Sequence, residues 1–302
     1  MKSIVPMSMN LVKNTAKAVL PESTRRWIST QHRRISTERR RREGQRIFQR
    51  HLRPTDVFLV GHPKSGNTWL SYMLGIAMRK NFRTKQITLA NVQEFFPAIH
   101  ARDRAIAAYS HLSSPRIFRN ESPVYGEFYP KTIYIVRDPR SVLVSYYHHA
   151  LHDLGEYEWT LEAYIEEMLT YGCIRRLEPE LVRWDKHVSY WLERSKHQPV
   201  KFVKYEEMKR DRRQVLEDVI KFIGFARDDE DIALAVEQSS FESMRKNEET
   251  YGAEPYSGTK GERGYFVRNG KVDGWKKELT PDLSALIARE FSAAMRLVGY
   301  LP

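Results

Sequence analysis

A single cysteine, Cys173, stands in 302 residues, so no intrachain disulfide can form and the chain is not a disulfide-stapled scaffold. A reducing compartment, the cytoplasm, is the expectation. Long apolar runs are missing as well. The longest candidate, Leu70 to Met78, is broken by Ser71 and Gly75 and stops at Arg79-Lys80, short of the ~20 residues a membrane-spanning helix needs. A secretory leader is not expected, because Lys13 and Lys17 split the N-terminal apolar stretch and no small-residue cleavage site follows. Two catalytic signatures are also absent. No G-x-S-x-G elbow supports Ser/His/Asp chemistry, and no G-x-x-x-x-G-K-[ST] order supports an ordinary ATP or GTP site.

Acidic residues are scarce in one region only. Residues 1–53 hold Glu22, Glu38 and Glu43 against 14 Lys and Arg, whereas the other 249 residues hold 36 bases and 35 acids. The net charge of +12 therefore belongs to an N-terminal arm. A basic nucleic-acid-binding protein would carry its charge on the folded domain, so nucleic acid is not an expected partner. Within the arm, apolar side chains at 9, 12, 16, 19 and 20 share one helical face beside Lys13 and Lys17, and Pro21 stops the helix. Glu38 to Arg53 reads as a basic helix leading into the main domain. Three readings of the arm stand open: a solvated extension, peripheral docking on an anionic membrane, or a transit peptide. The chain divides into this arm, residues 1–53, and one domain, residues 54–302.

From residue 55 the pattern is α/β. Short apolar runs at 56–60, 132–136 and 200–203 predict buried parallel strands. Helices are predicted over 67–80, 139–149, 159–170, 181–195, 211–223, 228–238 and 281–297, with Asp138 as N-cap and Pro139 as the first helical residue of the second. Residues 247–272 lack periodicity and read as a long loop over a site. Strands separated by helices imply a single P-loop-like α/β domain, its central parallel sheet flanked by helices, with the basic helical arm in front.

The most informative stretch is Asp56 to Trp69, DVFLVGHPKSGNTW. A strand, a turn with Gly61, Pro63 and Gly66, a lysine and two hydroxyl residues precede a helix. Backbone N–H groups of Ser65, Gly66, Asn67, Thr68 and Trp69 would converge on a phosphate at the positive end of the helix dipole. Gly66 permits close approach and Lys64 adds a mobile point charge. Because Lys64 precedes Gly66, the Walker order is not met. A P-loop-type nucleotide kinase is the alternative reading, and it would require that order and Mg²⁺.

Pro63 to Trp69 resembles the 5′-phosphosulfate loop of the cytosolic-type sulfotransferases, whose donor is 3′-phosphoadenosine 5′-phosphosulfate (PAPS), and the resemblance continues in order to about residue 280. It implies that Arg137 and Ser145, in IYIVRDPRSVLVSYYH, bind the 3′-phosphate. It implies that Arg268, Asn269 and Gly270, before Trp275-Lys276, close over it, although Asn269 stands where the family has lysine. Tyr205 in KYEEM and Ser240-Phe241 in QSSF fall at positions that hold the adenine. His111 in AYSHL is similar to the histidine of the family's K-T-H-L-P and is expected as general base, with Lys64 at the bridging oxygen. The expected reaction is in-line transfer of the sulfuryl group to an acceptor hydroxyl, with no metal. The segment 247–264, polar with Tyr251 and Tyr256, favours a carbohydrate or glycolipid over a small alcohol. His148, His149 and His152 leave a helical metal pair as an alternative. The family's dimer segment would fall at Lys276 to Ala285, where Pro281 and Ala285 depart from it.

Overall fold

A computed structural model describes residues 42–43, 45–46, 49–82, 86–99, 104–123, 125–152, 159–172, 181–226, 228–253, 266–268 and 270–302. The apolar runs form strands β1 (Val57–Gly61), β3 (Lys131–Val136) and β4 (Val200–Lys204), joined by β2 (Ile117–Asn120). All pairings are parallel, in the order β2-β1-β3-β4. The chain leaves β1 for a neighbour on one side and returns to β3 on the other. Such a reversal opens a crevice beyond the carboxyl ends of the central strands.

Period-two alternation assigns each strand face to its own core. Val57, Leu59, Ile133 and Ile135 pack under α1 (Asn67–Ala77), with the short α2 (Val92–Phe95), α7 (Arg212–Ile223) and α8 (Asp229–Gln238) in the same core. Phe58, Val60, Tyr134 and Val136 face the other layer. That layer comprises α3 (Pro139–His152), α4 (Leu161–Tyr171), α5 (Trp184–Arg194), α10 (Pro281–Glu290) and α11 (Ser292–Leu297). Because β1 and β3 are covered on both sides, their sequences are continuous apolar runs. At the opposite, N-terminal edge, buried Arg116 and Asp56 pair and hold β2 to β1.

Several helix starts follow from side-chain capping. Asp138 accepts from the Arg140 amide at 2.9 Å, as expected for the N-cap of α3. Thr160, Asp211, Asp228 and Thr280 cap α4, α7, α8 and α10. Other expectations need correction. The predicted helix over 281–297 is two helices, because Phe291 leaves helical geometry (φ −108°, ψ 11°) and buries its ring against Trp184. Residues 247–251 are not loop but the last turn and a half of α9 (Phe241–Tyr251). Its sequence FESMRKNEETY buries only Met244, so it shows little apolar periodicity. Strand β2 was not predicted. Of the arm, residues 42, 43, 45, 46 and 49–51 are helical and 52–53 lead into the domain; residues 1–41, 44, 47 and 48 of the arm, Asn269, and residues 254–265 lie outside the described residues.

Candidate active site

The loop after β1 is shaped by two residues with positive φ, Lys64 at 67° and Gly66 at 111°. Between them the Ser65 amide donates to the His62 carbonyl at 3.1 Å, closing the turn. The first α1 bond to reach back to the loop runs from the Leu70 amide to the Gly66 carbonyl at 3.1 Å. The amides of Asn67, Thr68 and Trp69 therefore have no acceptor within the helix, and no acidic side chain occupies the first turn. A positive cradle results. Glycine is required at 66 for two reasons: its φ, and the approach of Tyr205 Cδ2 to 2.9 Å from where a Cβ would sit.

A cleft opens over this loop. Lys64, Gly66, Asn67, Thr68 and Trp69 form its floor. Arg137, the first residue beyond β3, donates to the Lys64 carbonyl at 3.0 Å and lies 4.0 Å from the centroid of the Tyr205 ring. Tyr205 opens α6 (Tyr205–Arg210) directly after β4, and its ring meets Trp69 edge-on at 5.3 Å. Three strand ends are thus locked together around one surface. Ser145, along α3, also faces the cleft.

The far wall is the C-terminal segment. Arg268 is held by Glu278 at 3.1 Å, and the same carboxylate binds His148. Burial would raise the Glu278 carboxyl, but His148 and Arg268 outweigh it and hold it below the ordinary carboxylate value. Ser141 donates to the Val272 carbonyl at 2.9 Å, and the Arg140 guanidinium stacks 4.1 Å over Trp275. These contacts tie residues 268–275 to α3. Gly270 is needed for close approach, since a Cβ there would lie 2.5 Å from Phe241.

Buried polar atoms without protein partners mark what the cleft can take. Ser65 Oγ, beneath the loop, and Arg137 Nε have none among the described residues. A buried donor left unmatched is costly, and the Arg137 donor, on a residue lining the cleft, suits an anion.

The cleft therefore brings together most residues expected from sequence, from Lys64 to Gly270. Three expected residues are placed elsewhere. Ser65 is fully buried under the loop. The Ser240 hydroxyl accepts from the Ser243 amide at 3.1 Å as the N-cap of α9, and its neighbour Ser239 lines the cleft instead. His111, exposed, ends a 3₁₀ segment (Arg104–His111) with its Nδ1 3.0 Å from the Ala108 carbonyl, and it is not among the residues that line the cleft.

Sequence reasoning missed Glu121, Lys209, Phe266 and Lys271, all of which line the cleft. Lys209 sits 5.4 Å from the Trp69 ring. Burial, with Arg212 and Arg137 nearby, pushes its ammonium below the ordinary lysine value. The histidines after SYY are otherwise engaged. His148 binds Glu278 and His149 stacks on Tyr146. Among the described residues, no three metal-ligating side chains converge.

Residues 54–299 match the family model of the Sulfotransferase domain. Curated relatives include bovine (Bos taurus) Sulfotransferase 1E1, 26% identical over 260 residues that cover 81% of this chain and 84% of the relative. Rabbit (Oryctolagus cuniculus) Amine sulfotransferase is 28% identical over 258 residues, covering 81% and 82%. Among solved structures, retinol dehydratase with androsterone and inactive cofactor PAP superposes with a TM-score of 0.62 at 19% identity, covering 82% of this chain and 83% of that one. Mouse sulfotransferase SULT7A1 with PAP superposes at 0.60 and 23% identity, covering 81% and 86%; at these identities the likeness is one of fold. With the family model spanning the sheet, the phosphate loop and the C-terminal wall, the chain belongs to the family of PAPS-dependent sulfotransferases.

Proposed function

We propose that this enzyme moves the sulfuryl group of PAPS to a hydroxyl of a carbohydrate or glycolipid acceptor, with the donor lying across the C-terminal ends of the strands. One observation carries the reading. The phosphate loop, Arg137 and Arg268 share a single cleft, and Arg137 brings to it an unmatched buried donor, Nε, that suits a polyanion. The glycines that let Tyr205 and Phe241 approach the cleft walls suit a flat ring between aromatic faces.

PAPS supplies an activated sulfuryl group on a phosphate leaving group. The chain's own residues do the rest. Arg137, with Ser145 on α3, holds the 3′-phosphate, and the Arg137 fork allows bidentate pairing. Arg268, with the Asn269–Gly270 backbone, closes over the same group. Lys64 and the first amides of α1 offset the negative charge that develops on the leaving phosphate, through groups already oriented before reaction. Tyr205, Phe241 and Trp69 enclose the base. The polar 247–264 segment, with its tyrosines, supports a sugar-bearing acceptor.

The test is transfer of labelled sulfate from PAPS in EDTA, followed by mass spectrometry of a metabolite and glycolipid extract incubated with enzyme and PAPS. One species should gain a single sulfonate. Lys64→Ala should lower turnover roughly 10²–10³-fold, as removal of an oriented charge-stabilising donor does. Strict dependence on a divalent metal, or full turnover in Lys64→Ala, would overturn the mechanism.

A further inference from the structure

The acceptor's hydroxyl must lose a proton, and the cleft itself holds a candidate to take it. We propose that Glu121, rather than His111, is the proton acceptor; the proposal rests on the sulfotransferase reading above.

Topology makes the first argument. Glu121 immediately follows Asn120, the last residue of β2, so it stands at the same carboxyl edge of the sheet as the phosphate loop. The order β2-β1-β3-β4 puts Glu121 on one side of that loop, with Arg137 and Tyr205 on the other. If Arg137, Tyr205 and Phe241 hold the nucleotide, the reacting end points towards β2.

Chemistry makes the second. The other charged groups lining the cleft are Lys64, Arg137, Lys209, Arg268 and Lys271. Each is a proton donor or a fixed cation, and no histidine or aspartate lines the cleft among the described residues. Among the described residues, Glu121 alone can accept a proton there.

Orientation makes the third. Asn67 Nδ2 donates to Glu121 Oε1 at 3.2 Å and to the Gly61 carbonyl at 3.2 Å. One carboxylate oxygen is thereby fixed to the first residue of α1, and Oε2 is left for the acceptor. His111 has no comparable placement. Arg53 holds the flanking Ser110 and Leu112 carbonyls, and Arg116 reaches the Tyr109 carbonyl while pairing with Asp56. Those contacts keep His111 at the amino edge of the sheet. From Arg116 to Glu121 the chain runs five extended residues, about 16 Å.

In the step, Glu121 Oε2 takes the hydroxyl proton as the acceptor oxygen–sulfur bond forms. The sulfur–oxygen bond to the phosphate breaks, and its electron pair stays on the phosphate of PAP. Glu121 then returns the proton to solvent, so charge and atoms balance.

The test compares full-length Glu121→Gln and His111→Asn, using sulfur-labelled PAPS with a metabolite and glycolipid extract, and PAP binding by titration calorimetry. Glu121→Gln should lose roughly 10²–10⁴ in label transfer, the contribution of a general base, with PAP affinity within about threefold of wild type. His111→Asn should change neither by more than about threefold. Glu121→His should regain part of the lost transfer, with the acid limb of the pH–rate profile moved into the histidine range near ~6.5, a shift that a purely structural role would not cause. The proposal is overturned by full transfer in Glu121→Gln, by a loss of PAP affinity that accounts for its lost turnover, or by a large loss in His111→Asn. Wild-type protein that neither binds PAP nor transfers label instead overturns the sulfotransferase reading itself.

Discussion

Replacing Gly66 by alanine tests whether the phosphate loop works through its backbone shape. At φ 111° an alanine is strained by about 1–3 kcal/mol. Its Cβ would also stand 2.9 Å from Tyr205 Cδ2 and 3.2 Å from Met208 Cε. Tyr205 cannot yield freely, because Arg137 packs 4.0 Å from its ring centroid and Trp69 meets it edge-on. Either the loop unwinds or the Tyr205–Arg137 pair shifts, and both outcomes damage the anion site. We expect PAP affinity to fall about 10–100-fold, equivalent to ~1.4–2.7 kcal/mol.

A control separates strain from site damage. Gly252 has φ 83° and nothing within 4 Å of a would-be Cβ, so Gly252→Ala carries backbone strain of about 1–3 kcal/mol without the contact. Urea denaturation should show both variants destabilised, while calorimetry with PAP should show the affinity loss only in Gly66→Ala. Equal PAP affinity in the two variants would refute the reasoning.

Other outcomes follow from protonation and from the arm. His62 is fully buried, which lowers its pKa from 6.5 to about 4. The unfolded chain therefore binds the extra proton between those values. Stability should be whole above pH 6.5 and fall by up to ~3 kcal/mol towards pH 4. Denaturation midpoints that stay constant across that window would contradict the burial argument. The Lys209 ammonium, held low mainly by burial, should be returned upward by a bound anion, so PAP binding in alkaline buffer should take up protons. Titrations in buffers of different ionisation enthalpy would detect it. Removing residues 1–37 should leave PAP affinity nearly intact while lowering any binding to anionic vesicles; a collapse of PAP affinity would tie the arm to the site.

Legibility in the sequence tracked burial on two faces. Strands β1 and β3 are covered by both helical layers, so VFLVG and KTIYIV read directly as strands. The positions just after them, the loop to Gly66 and Arg137, could then be read as candidate ligand-binding positions, and they line the cleft. Strand β2 has only IFRN and pairs with β1 alone among the named strands. With Arg119 reaching the Phe96 carbonyl, it offers too short an apolar run to register. Its carboxyl end, and Glu121 with it, stayed hidden for that reason. AYSHL stands out through its likeness to the family's K-T-H-L-P, and motif likeness carries no information about which edge of the sheet the histidine occupies. Ser240 shows a similar limit. A serine one residue before a helix serves as a cap regardless of what ligand lies nearby.

The distribution of charge explains how a domain with 36 bases and 35 acids outside the arm can bind a polyanion. Net charge acts at a distance and is screened within about 10 Å at ordinary ionic strength, so the arm's excess cannot select a nucleotide. Selection requires cations fixed where the ligand's charges will lie. Arg137 is fixed by the Lys64 carbonyl and the Tyr205 ring, and Arg268 by Glu278. Lys209 is packed beside Trp69. Ordering these long side chains before binding reduces the entropy lost on binding. The partial burial of Arg137 and Lys209 strengthens the field of each at the site. The same arrangement sharpens the demand on the acceptor side: a cleft built from fixed cations cannot also take up a proton unless one carboxylate is admitted, and Asn67 holds Glu121 in that position.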